Sequence, residues 1–129
     1  MLTAEARPRN VGQLITLLQG GTEELTKQSL LVSRLSARIE ATSELVAEMV
    51  QTVGELHHFK TVAEQLTDLS DRFQQSAILI AAISEDQRNR ISVLEESPKS
   101  EEERVLAART IGQAEQALEA ATLALALSP

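Results

Sequence analysis

The sequence predicts an all-α protein, a long helical hairpin with an additional C-terminal helix. Apolar residues alternate at spacings of three and four over two long stretches, and the only aromatic residues among 129 are Phe59 and Phe73. The rest of the 43% hydrophobic content is aliphatic, which suits the narrow seams between long helices. No sharp change of composition divides the chain, so a single domain is expected.

Residues 1–21 read as an N-terminal segment. The first ten are polar and broken by Pro8, predicting a disordered start. Residues 11–19 (VGQLITLLQ) predict a short helix beginning near Asn10 and stopped by Gly20-Gly21. Thr22, followed by Glu23 and Glu24, then reads as a fresh helix start, with a hydroxyl cap and acids at the positive end of the helix dipole.

Residues 22–96 form the predicted hairpin. Leu25, Val32, Leu35, Ile39, Val46, Met49, Val53 and Leu56, with Gln28 and Thr42 as polar members, form one a/d seam. Val62, Leu66, Leu69, Phe73, Ser76, Ile80, Ile83, Gln87 and Leu94 form a second. The register breaks over residues 54–60 (GELHHFK), which predicts a turn. A single helix over 22–95 would run about 110 Å, whereas a turn there lets two arms bury each other's seams.

Residues 97–129 read as a linker and a C-terminal helix. Ser97-Pro98-Lys99-Ser100 is the break, and Ser100 with Glu101, Glu102 and Glu103 starts the helix. The helix is alanine-rich, so it either docks in the bundle groove or serves as a detachable segment for a partner. Stripes of this width on so short a chain usually need a second chain to cover them, which makes a homodimer the expectation.

The net charge of -7 repels a phosphate backbone, and no Lys/Arg cluster in the sequence reverses that sign locally. Nucleic acid is therefore not expected as a partner. No window has the length and apolarity of a membrane span, and MLTAEARPRN lacks a signal peptide's basic-then-apolar layout. The expectation is a cytoplasmic protein without membrane insertion. The absence of cysteine removes disulfides and thiolate chemistry.

The motif with chemical content is Asp71-Arg72-Phe73-Gln74-Gln75. Asp71 and Gln75 stand four apart, on one face of a helix. With Phe73 in the seam, both fall outside it. Ile78, also outside the seam, lies in an apolar run (AILIAAI, 77–83) wider than one seam requires. That width suggests either docking of a partner beside the polar pair or burial under the third helix. A carboxylate and a carboxamide one turn apart can act inside another protein's active site, the acid pairing with a lysine and the amide holding a water in line with a phosphoryl group.

In these features the chain resembles the CheZ class of chemotaxis phosphatases, and in particular the small CheT-type chemotaxis proteins. The resemblance covers residues 22–96 and rests on the long hairpin and the D-x-x-x-Q motif on its second helix. It implies dimerisation into a four-helix bundle, with Asp71 and Gln75 as the catalytic pair directed at a response regulator. It also makes Arg72, Gln74 and Ile78 partner-binding residues. No cofactor of its own is implied, since magnesium belongs to the response-regulator partner. The alanine- and leucine-rich end (TLALALSP) departs from the acidic amphipathic peptide that ends CheZ proteins, and this leaves open an adaptor for another chemotaxis component, such as the receptor methyltransferase or the receptor's own helical tip. The alternative from a different class is a non-enzymatic coiled-coil adaptor or chaperone-like structural protein. His57 and His58 point about 100° apart on a helix, and the glutamates flanking Pro98 lack calcium-loop spacing, so no metal site is expected.

Overall fold

The computed structural model describes residues 10–51 and 56–126, and three helices account for nearly all of them: α1 (Val11–Gln51), α2 (Leu56–Glu96) and α3 (Glu101–Ala126). Among the described residues there is no strand. The expected disordered start falls almost wholly on residues 1–9, outside the described residues. Gly54 of the expected turn and Val53 of the first seam lie outside them as well.

Asn10 caps α1, its side-chain Oδ1 accepting from the Gly12 N–H at 2.6 Å and its carbonyl from Gln13 and Leu14 at 3.1 Å each. The helix does not stop at Gly20-Gly21. It continues through both glycines and Thr22 to Gln51 as one element of 41 residues, about 60 Å long. Thr22 caps nothing, because its hydroxyl donates to the Leu18 carbonyl at 2.9 Å in mid-helix. The physical reason lies across the interface, where a Cβ on Gly21 would overlap the side chain of Gln87. Glycine here gives α2 room to approach, and tertiary packing offsets its poor helix propensity.

The chain folds back between α1 and α2. Gln87 is fully buried, and its Nε2 donates to the Leu18 carbonyl at 3.0 Å and to Thr22 Oγ1 at 3.2 Å. Arg90 Nη1 donates to the Gln87 Oε1 at 2.9 Å, so every polar atom of the buried amide is used. Leu18 beside Leu94, and Ile39 in the cluster of Leu69 and Phe73, set the two helices antiparallel. Residues 57–60, assigned to the turn by sequence, are already helical.

Pro98 separates α2 from α3, and Lys99 Nζ donates to the Glu95 and Ser97 carbonyls at 3.2 and 2.7 Å, satisfying the end of α2. Ser100 and Glu103 close a reciprocal capping box. The Ser100 N–H donates to Glu103 Oε1 at 2.9 Å and the Glu103 N–H to Ser100 Oγ at 3.2 Å. Of the two roles open to the third helix, the structure has it docked. Ala107, Thr110, Ala114, Ala117, Ala121 and Ala124 are buried at spacings of three and four, and packing is mainly on α1. Small side chains let the helix axes come close. On the long helices the receiving side holds Ile15 and Ile91, which cluster with Ala107 and Ala114. Ser29, Ser36 and Ser84 share that flanking position and are also buried.

The opposite flank of the pair is open. Leu17, Leu31 and Leu45 on α1 and Leu79 and Val93 on α2 are each between 41% and 46% exposed. Each immediately precedes a residue buried between the two helices, Leu18, Val32, Ile80 and Leu94 fully or nearly so and Val46 partly, so all five line the flank that α3 leaves uncovered.

Candidate functional site

The D-x-x-x-Q segment lies in the middle of α2, held by two buried neighbours, Phe73 and Ser76. Their burial turns Asp71, Gln74 and Gln75 outward, and all three are exposed. Among the described residues neither Asp71 nor Gln75 is engaged in a side-chain hydrogen bond or ion pair. Arg72 is engaged, its Nε lying 3.1 Å from Asp68 Oδ2, though both side chains are 60% exposed. Such a pair is easily exchanged for another partner, because exposed ion pairs contribute only about 0–1 kcal/mol.

The apolar run beyond the motif divides between two environments. Ile80 is buried, and Ala77 and Ile83 pack against the core. Ile78 is 71% exposed and Leu79 42%, so the third helix covers neither.

The residues assigned from sequence do not all share one surface. Gln75 and Arg72 border a groove between α1 and α2, on the flank opposite α3, of about 460 Å³. Leu31, Leu35, Ser76 and Leu79 form its floor and walls, and Arg34 and Arg38 of α1 complete its rim. Asp71, Gln74 and Ile78 do not line it and lie on the outer face of α2.

Arg34 and Arg38 were missed by sequence reasoning. The available signal was their spacing of four on one helix face, which brings two like charges together at a cost. Their meeting with Arg72 was not legible, because it depends on the antiparallel register. His57 and His58 are exposed in the first turns of α2, and among the described residues no group of three or more His, Asp or Glu side chains is arranged to hold a metal ion. No described helix is long and apolar enough to cross a membrane.

Comparison of the chain with protein-family models, with curated proteins and with solved structures finds no match among any of them.

Proposed function

We propose that this chain is a cytoplasmic chemotaxis-type signalling protein, similar to the CheZ class and the CheT-type proteins, that presents Asp71 and Gln75 to a phosphorylated response regulator. The observation that carries the reading is the pair itself. Two unengaged, exposed side chains stand one turn apart on the second long helix of an antiparallel pair, fixed by the buried Phe73 and Ser76. In this reading the Asp71 carboxylate pairs with the regulator's active-site lysine. The Gln75 carboxamide orients a water whose oxygen attacks phosphorus, while the bond to the regulator's aspartate breaks and inorganic phosphate leaves. Magnesium and the phosphoryl group belong to the regulator, and Arg72, Gln74 and Ile78 contact its surface.

A homodimer is part of the same proposal. Val46, Met49 and Phe59, toward the turn end of the hairpin, are only half-buried, and a second hairpin packed there would form a four-helix bundle. Light scattering that gives a monomer at micromolar concentration would remove this element.

One observation favours a second reading, a non-enzymatic adaptor that holds a component such as the receptor methyltransferase. Ile78 and Leu79 expose apolar surface beside the motif, and a docking face needs no chemistry. The deciding experiment mixes the protein with phosphorylated response regulators and follows phosphate release. Acceleration that is lost in Gln75→Ala supports the phosphatase. Release no faster than in buffer, alike for wild type and variant, overturns it, and a pull-down with the methyltransferase then tests the adaptor.

A further inference from the structure

We infer that the groove bounded by Arg34, Arg38 and Arg72 is a docking site for an acidic amphipathic helix of a partner protein. This goes beyond the phosphatase reading and does not depend on it.

The first argument is charge. The chain has 19 acidic residues against 12 basic ones, yet three guanidinium groups gather on this groove and no carboxylate lines it. Arg34 and Arg38 stand four apart on α1, where like charges repel. Among the described residues neither has an ion-pair or hydrogen-bond partner. Only Arg72 is paired, to Asp68 on its own helix. A cluster that opposes the net charge and is neutralised at only one of its three members is complementary to an acidic ligand.

The second argument is shape and apolarity. The groove between the helices has three leucines, Leu35 buried and Leu31 and Leu79 exposed, beside the polar Gln28 and Ser76. Toward Leu17 and Val93 it is bounded by Glu24 and Asp86, which take the same place before a seam residue. A leucine-bearing groove with a cationic rim fits a short helical stretch that has leucines on one face and carboxylates beside them. Arginine suits this role, since its planar fork holds a carboxylate with two hydrogen bonds. A second copy of this chain fits less well, because a symmetric contact centred on the groove sets arginine against arginine. A nucleic acid brings many phosphates to a chain of net charge -7, which repels them at longer range.

The experiment uses the full chain and a fluorescein-labelled helical peptide with leucines at i, i+3, i+4 and i+7 and glutamates elsewhere, read by anisotropy. A peptide with lysine in place of every glutamate and a single-stranded oligonucleotide are the comparison arms. The expected result is saturable binding of the acidic peptide only, weakened by salt. R34E/R38E should weaken it by about tenfold or more, as the loss of two charge-assisted contacts implies. R109E, which reverses an exposed charge on α3, should leave it within about twofold. Both variants alter exposed side chains, and circular dichroism checks their folding. Equal binding of the acidic and basic peptides overturns the inference, as does preference for the oligonucleotide or an R34E/R38E affinity equal to wild type. Dissociation of a dimer by R34E/R38E without competition from the peptide also overturns it, in favour of a second copy.

Discussion

The carboxamide of Gln87 occupies the space that a side chain at Gly21 would fill, and from there its Nε2 donates to the Leu18 carbonyl at 3.0 Å. This contact between residues far apart in sequence fixes the register of α1 against α2. Sliding either helix by one turn would bury the amide among aliphatic side chains without partners, at a cost of about 1–3 kcal/mol.

The adjacent glycines Gly20 and Gly21 of α1 should therefore respond oppositely to alanine. Gly21→Ala forces the buried amide out and should destabilise the fold by about 1–3 kcal/mol, despite better helix propensity. At Gly20 a Cβ meets nothing within 4 Å, so Gly20→Ala should stabilise by up to about 1 kcal/mol. Urea denaturation of the two variants checks both signs, and equal shifts would contradict the packing described.

The same contact predicts non-additivity. Gln87→Ala alone should cost about 2–4 kcal/mol, through the cavity and the lost hydrogen bonds. Once Gln87 is shortened, the Cβ of Gly21→Ala no longer collides, so the double variant should be more stable than the sum of the single costs by about 1 kcal/mol or more. A strictly additive cycle would place the two residues out of contact.

α3 should be intolerant of bulk on one face only. Ala114 is fully buried, and Ala114→Leu should cost about 1–3 kcal/mol by overpacking. Ala120 is exposed, and Ala120→Leu should change stability by less than about 0.5 kcal/mol. Hydrogen exchange should show the loss of protection centred on α3 and the facing part of α1, residues 11–18.

The capping box at the start of α3 gives a smaller effect. Ser100→Ala removes the acceptor of the Glu103 N–H and should destabilise by about 1 kcal/mol. Thermal unfolding measures this, and an unchanged midpoint would mean that α3 is held by its alanine face alone.

Much of this architecture is local and was legible from residue order. Described seam positions from Leu25 to Met49 and from Val62 to Leu94 are buried or half-buried, because a heptad repeat encodes a face whatever that face meets. Ser100 and Glu103 announce a cap because the two partners are three residues apart. That Asp71 and Gln75 are exposed one turn apart follows from helical spacing alone, but that Gln75 borders the α1–α2 groove while Asp71 does not depends on the packing.

What needed the tertiary structure is whatever depends on residues that meet only after folding. Gly20-Gly21 reads locally as a stop, since glycine is a poor helix former, yet burial of Gln87 against Gly21 outweighs that propensity and α1 runs through. Ser29, Ser36 and Ser84 look polar by type, yet all three are buried at the helix position that Ile15 and Ile91 take beside the alanines of α3. Arg34 and Arg38 are unremarkable charges until antiparallel packing sets them across from Arg72 and Gln75. Helix, seam and cap are encoded by near neighbours, whereas register, the covered flank and the arginine groove follow from contacts whose partners no local pattern specifies.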